Sequence, residues 1–307
     1  MRSSTPTVPD RREVPLVLWA GCVRSHDLLS RADALHAGGF ASMSVLSGEL
    51  ERLERESRGS VALIARELEA REARAAVIDP FIGWYPGWEP DDGPFADLLN
   101  VSEESVLRYA QILGAESMTL LTPFTGGPPA PVDAVIDALG AFADRAAAHG
   151  VRLHLEVVPT SMVPDLATGW QIIRAVDRAN AGLVLDTFHL ARSGAQPADL
   201  NEIPLEKIFH IQLCDASLEP WTPDYFEEAV SHRQFAGEGE LPIKELTERF
   251  GRDGAFPPIG PEVFSEALDA LSPAEVGRLC GERTRSFLAT LEPPVTAPVP
   301  SRGGARS

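Results

Sequence analysis

Four short apolar stretches in the second half of this chain each end in a residue able to bind a metal. They are Leu153-His154-Leu155-Glu156, Leu183-Val184-Leu185-Asp186, His210-Ile211-Gln212 and Ile259-Gly260-Pro261-Glu262. A carboxylate that closes a Leu/Val strand needs a partner, because an unpaired buried charge is strongly unfavourable. A single divalent cation shared by all four segments is such a partner. Three carboxylates and one amide form an all-oxygen set, which favours hard ions. Mn2+ is the expected ion, with Mg2+, Co2+ and Zn2+ as the alternatives.

Strand ends can converge on one ion only if the strands lie side by side and run the same way. The sequence alternates short apolar runs with amphipathic stretches. Strands are expected at 15–20, 39–46, 75–80, 117–122, 151–158, 182–187, 208–214 and 255–263. Helices are expected at 26–37, closing at Gly38-Gly39, and at 131–149, between Pro131 and Gly150. Two more are expected at 165–178, after Pro164, and at 272–291, opening Ser-Pro-Ala-Glu. A strand-then-helix unit repeated eight times predicts a (β/α)8 TIM barrel, a single domain at 14–291. The alternative, a doubly wound open sheet, lacks a Gly-rich phosphate turn after the first strand. Residues 1–13 and 292–307, rich in Pro, Ser, Gly and charge, are expected to be disordered tails.

Composition excludes several functions. The 307 residues carry a net charge of −18, which repels nucleic acid. The first apolar run, Val14 to Cys22, is too short for a membrane span. Cys22, Cys214 and Cys280 have no finger or redox spacing, so a reducing, cytoplasmic setting is expected. A Schiff-base aldolase needs a lysine late on a strand. The only two lysines, Lys207 before the seventh strand and Lys244 in a helix, do not provide one.

Within a barrel, side chains two apart along a strand face the same way, so His154 and His210 lie one layer below Glu156 and Gln212 and read as hydrogen-bonded core residues. His189 follows Asp186 by three residues, where the chain leaves its strand, and can reach the site from the rim.

These motifs resemble the xylose isomerase-like barrel superfamily. The resemblance is carried by Glu156, Leu185-Asp186-Thr187-Phe188-His189, His210-Ile211-Gln212-Leu213-Cys214-Asp215, Gly237-Glu238-Gly239-Glu240-Leu241 and Gly260-Pro261-Glu262, in that order, and extends over about residues 14 to 291. That group includes sugar epimerases, hydroxypyruvate isomerase, inosose dehydratase and 3-dehydroshikimate dehydratase. The resemblance implies that Glu156, Asp186, Gln212 and Glu262 hold a divalent metal, that His189 lies beside it, and that Arg233, four residues before the Gly-x-Gly loop, contacts substrate. The superfamily also includes endonuclease IV, whose extra histidines are not matched here: the corresponding regions read Ser42-Met43-Ser44-Val45, Ile78-Asp79-Pro80-Phe81 and Arg233.

A metal that polarises a carbonyl lowers the barrier to removing the neighbouring proton. With Glu156 and Glu262 as acid and base, a metal-stabilised enediolate leads to isomerisation or epimerisation of a hydroxyketone. If His189 instead protonates a β-hydroxyl, the same intermediate loses water and the enzyme is a dehydratase. A barrel that binds ligand without turnover is a third reading, which retention of every ligand position disfavours. Aromatic residues crowd the expected active face: Trp19, Trp84, Trp88, Phe124 and Trp221 are candidates for contacting a small-molecule substrate that is cyclic or partly apolar. The same collar suits a contact between two copies of the chain, so a homodimer is kept open.

Overall fold

The computed structural model describes residues 14–90, 92–93, 95–124, 130–252 and 256–291. The expected tails, 1–13 and 292–307, lie outside the described residues. Eight strands form one parallel sheet in chain order: β1 (Val17–Leu18), β2 (Ser42–Leu46), β3 (Ala75–Phe81), β4 (Ser117–Leu120), β5 (Arg152–Glu156), β6 (Ala181–Asp186), β7 (Ile208–Leu213) and β8 (Ile259–Pro261). A parallel bridge from Leu16 to Ile259 and a bond from the Ile259 amide to the Pro15 carbonyl (3.1 Å) draw the last strand onto the first. Helices lie between the strands, as in a (β/α)8 barrel. The open-sheet alternative is thereby set aside.

The terminal strands are shorter than their apolar runs. Pro15 and the pair Pro257-Pro258 have no amide hydrogen to add to a ladder, so pairing stops beside them. Helix ends follow local chemistry closely. Asp165 caps Leu166–Val176 by accepting from the Thr168 amide at 2.8 Å. Ser272 and Glu275 form a reciprocal capping box at the start of Pro273–Thr290. The expected 26–37 helix starts later, at Arg31, because the Asp27 carboxylate accepts from the Leu29 and Ser30 amides and holds a turn there. No helix among the described residues is long and apolar enough to cross a membrane.

The barrel interior is layered. Below the strand ends, the rings of His154 and His210 face each other at 4.8 Å. Trp19, expected at the rim, is instead fully buried in this deeper layer, edge-on to both rings at 6.4 and 5.6 Å. The cause is its position directly after the two-residue β1, which points its side chain into the barrel axis rather than over it. His210 bonds Ser117 Oγ at 3.0 Å as expected of a core histidine, whereas among the described residues neither ring nitrogen of His154 has a hydrogen-bond partner. Burial pushes both imidazoles down, His210 to about 3, so both are neutral at physiological pH.

On the outside, the final helix, Pro273–Thr290, packs directly on the first, Arg31–Gly38. Glycines make this approach close: a Cβ on Gly277 would come within 1.9 Å of the Ala34 carbonyl oxygen, and one on Gly281 within 2.2 Å of the Gly38 oxygen. Overpacking of this kind costs about 1–3 kcal/mol. Gly277→Ala is therefore expected to lower unfolding free energy by about that amount in denaturant titrations; an unchanged midpoint would show that the two helices can separate freely.

Candidate metal centre

Asp186 is the last residue of β6 and also the N-cap of the helix Thr187–Arg192. Its Oδ1 accepts from the Phe188 and His189 amides at 2.8 and 3.0 Å. That fixes the carboxylate and aims Oδ2 into the barrel mouth. It also explains the Asp-x-x-His spacing, because the first turn of the capped helix carries His189 back over the strand end. His189 Nε2 lies 3.4 Å from Glu156 Oε1 and 3.9 Å from Asp186 Oδ2, while Nδ1 pairs with the Tyr225 hydroxyl. Glu156, Asp186 and His189 each offer a ligand atom, all within 4.8 Å of one another and all buried.

Gln212 and Glu262 complete the expected quartet from β7 and the residue after β8. Gln212 is fully buried and donates from Nε2 to Glu262 Oε1 at 2.8 Å. Among the described residues its Oε1 has no hydrogen-bond partner. A buried amide oxygen left free beside three carboxylates fits a cation, so the donors present suit a divalent ion. The tight group of acids and histidine shares Glu156 and Asp186 with the expected quartet and adds His189, whereas Glu262 lies outside it and is tied to Asp186 by way of Arg233.

Arg233 is buried at the centre of this arrangement. Its Nη1 contacts Asp186 Oδ2 at 2.7 Å and Glu262 Oε2 at 3.2 Å, and its Nε donates to the Ala229 carbonyl at 2.6 Å. The rings of Phe188 and Phe264 flank the guanidinium at 4.9 and 5.0 Å. Burial opposes the charge on Asp186, but Arg233 and then His189 outweigh it and hold the carboxyl well below its ordinary value. Glu262 goes the other way: burial, aided by Asp79, Asp186 and Glu156, raises its value despite Arg233. Burial likewise raises the Tyr225 phenol.

The Gly-x-Gly motif supports this site without touching it. The Asp215 carboxylate, at the end of the β7 segment, accepts from the amides of Ala216, Gly237 and Leu241 at 2.8, 3.1 and 3.0 Å. A Cβ on Gly239 would strike the Ala216 carbonyl and that carboxylate, each at 2.4 Å. The loop is thus strapped to the strand, and Arg233 enters the barrel just before it.

Above these groups lies a cavity of about 230 Å³ with Asp79, Glu156, His189, Arg233 and Glu262 on its polar side. Its walls are apolar. Phe124 and Phe226 meet edge to face at 4.6 Å, and Phe95 packs on both at 6.1 and 5.5 Å. Of the expected collar, Phe124 lines this cavity and the half-buried Trp88 lines an adjoining groove with Phe95 and Phe124. Trp84 is a packing residue instead, its Nε1 donating to the Leu121 carbonyl at 2.9 Å. Trp221 is 71% exposed and lies against His232, away from the cavity. Sequence reasoning passed over Phe95, Phe264 and, above all, Asp79. Asp79 carries the same signal as the other strand ends: a carboxylate closing the apolar run Ala75 to Ile78.

The profile of the xylose isomerase-like TIM barrel family matches residues 32–280. This chain belongs to that family. Among curated relatives, 3-dehydroshikimate dehydratase of Pseudomonas aeruginosa is 31% identical over 153 residues, which is 50% of this chain and 24% of that protein. An inosose isomerase of Halalkalibacterium halodurans is 25% identical over 151 residues, covering 48% of this chain and 52% of the relative. This family member therefore spans about a quarter of the length of the first of those curated enzymes and about half of the second. Among solved structures, a zinc-bound IolI protein superposes with a TM-score of 0.75 at 17% identity, over 91% of this chain and 99% of that one. The probable 3-dehydroshikimate dehydratase AsbF of Bacillus anthracis gives 0.65 at 15% identity, over 86% and 98%. Both likenesses concern the barrel fold.

Asp186→Asn separates the two roles of its carboxyl group, since asparagine caps helices as well as aspartate does but carries no charge. Mn2+ affinity measured by calorimetry on the folded protein is expected to fall at least about tenfold, and loss of the buried pair with Arg233 to lower the melting temperature; undiminished affinity would remove Asp186 from the ligand set.

Proposed function

We propose that the protein is a divalent-metal-dependent isomerase or epimerase that moves a proton at the carbon next to the carbonyl of a cyclic hydroxyketone. The observation that carries this reading is the buried group Glu156, Asp186 and His189, with the free Gln212 oxygen and Glu262 beside it, on the polar side of an aromatic-walled cavity. Glu156, Asp186, Gln212 and Glu262 would hold the ion, Mn2+ being our first choice and Mg2+, Co2+ or Zn2+ the alternatives. When bound, it supplies Lewis acidity toward a carbonyl oxygen.

The chain's own residues supply the rest. Glu156 and Glu262 approach from different strands, so one can take a proton and the other return it to the opposite face or the neighbouring carbon. His189, oriented through Nδ1 by Tyr225, directs Nε2 at the substrate oxygens. Arg233 keeps the Asp186 and Glu262 carboxylates in place at the edge of the cavity. Phe95, Phe124 and Phe226 cover the ring and exclude water, which suits a substrate that is cyclic and partly apolar.

Dehydration is the second reading, favoured by the similarity to 3-dehydroshikimate dehydratase and by a histidine placed to protonate a leaving hydroxyl. Incubating the Mn2+-loaded protein in heavy water with cyclic and acyclic α-hydroxyketones distinguishes the two. Deuterium entering recovered substrate or isomer is expected for proton transfer, whereas a product lighter by one water supports the lyase. Chelation is expected to abolish either reaction, and Glu156→Gln or Glu262→Gln to lower the rate by about 10²- to 10⁴-fold. A fully active Glu262→Gln protein would refute the two-glutamate mechanism.

A further inference from the structure

Asp79 is the one carboxylate on the cavity's polar side that neither the metal reading nor Arg233 accounts for. It sits near the end of β3, paired in register with Leu46 of β2, and is 7% exposed, facing the cavity. It lies outside the tight ligand group formed by Glu156, Asp186 and His189. Among the described residues it forms no ion pair. Burial, and then the nearby Glu156 carboxylate, push its value up to about 7; the Thr119 hydroxyl is near enough to oppose this but makes no hydrogen bond of good geometry among the described residues.

Both arginines that line the cavity are occupied elsewhere. Arg233 serves Asp186 and Glu262. Arg24 is held by Asp269, at 2.7 Å, and by the Val230 carbonyl. With a divalent ion bound, that ion and Arg233 together match the three charges of Glu156, Asp186 and Glu262, and the charge of Asp79 is left over. A carboxylate in that position, walled by Leu46, Leu98 and Leu121, stays charged at low cost only when a ligand donates hydrogen bonds to it. A neutral hydroxyl can do so. A second carboxylate, brought in on a substrate, would face it as a like charge with no arginine free to compensate.

We propose that Asp79 is a specificity-determining residue that accepts a hydrogen bond from a ring hydroxyl and thereby selects neutral hydroxylated cyclic ketones over carboxylated ones. The proposal rests on the reading of this cavity as the site of a cyclic hydroxyketone. Its test is kept independent of turnover. The affinities of scyllo-inosose, a neutral ring, and 3-dehydroshikimate, a carboxylated one, are measured by calorimetry on the Mn2+-loaded wild type and on Asp79→Asn and Asp79→Ala.

The wild type is expected to prefer scyllo-inosose. Asp79→Ala is expected to weaken that ligand by about tenfold or more, the loss of a hydrogen bond to a charged group, while leaving 3-dehydroshikimate unchanged or tightening it. Asp79→Asn, which still accepts but lacks the charge, should weaken scyllo-inosose less and tighten 3-dehydroshikimate. The ratio of the two affinities within one sample is insensitive to partial misfolding, which removes sites for both ligands alike. Equal weakening of both, an unchanged ratio, a wild type that prefers 3-dehydroshikimate, or one that binds no scyllo-inosose would each overturn the proposal. If the Asp79-dependent preference is present and neither ring exchanges deuterium nor is converted, the catalytic reading fails and the selectivity assignment stands.

Discussion

The structure of the barrel mouth is governed by one constraint: several carboxylates are gathered where water is scarce. Glu156, Asp186 and Glu262 are all buried, and each is drawn there by the strand that ends beneath it. Their mutual repulsion has to be met by positive charge within a few ångströms. Arg233 meets part of it, clamped between two phenyl rings and bonded to a backbone carbonyl so that it cannot swing out to solvent. The strapped loop behind Arg233, the cap on the helix of His189 and the pairing of Gln212 with Glu262 all serve to hold donors and charges in fixed positions.

Much of this was legible from residue order. A polar residue closing an apolar strand is an energetic anomaly, and four such anomalies in the same strand-helix rhythm located β5 to β8 and the polar residues gathered at the barrel mouth. The starts of the helices at 165 and 272 were readable from Pro164 and from the opening Ser-Pro-Ala-Glu, because helix-end chemistry is local; the Asp165 cap itself is seen only in the structure. Side-chain direction was less legible. Trp19 was placed at the rim because it follows an apolar run, but β1 contributes only two residues, and the ring falls inside the barrel against His154 and His210. Trp84 and Trp221 were grouped with the collar by loop membership alone, which fixes neither burial nor orientation. Asp79 is less legible for a different reason: β3 runs on through Pro80 and Phe81, so the acid does not close its apolar run as plainly as the other four residues close theirs.

The Gly-x-Gly segment shows how a motif can be informative while its glycines take no part in the chemistry. Its backbone amides bind Asp215, and the absence of a side chain at Gly239 lets that carboxylate and the Ala216 carbonyl approach. The motif's effect on the centre is mechanical and is transmitted through the placement of Arg233. Fold and chemistry are linked here in the way parallel barrels allow: the strands form a rigid base, and reactive groups from distant parts of the sequence meet because all strand ends point one way.

The glycine seam between the first and last helices has a consequence for how the chain assembles. Closure joins residues near Leu16 to Ile259 and residues near Ala34 to Gly277, contacts separated by almost the whole sequence. Such long-range contacts form late, because loop closure must precede any gain from them. Until β8 arrives, the strand ends of β5, β6 and β7 stay open to water on one side, and their charges remain hydrated. The electrostatic penalty of the centre and the packing that offsets it thus both depend on closure, which sets Glu262, the residue after β8, against Arg233.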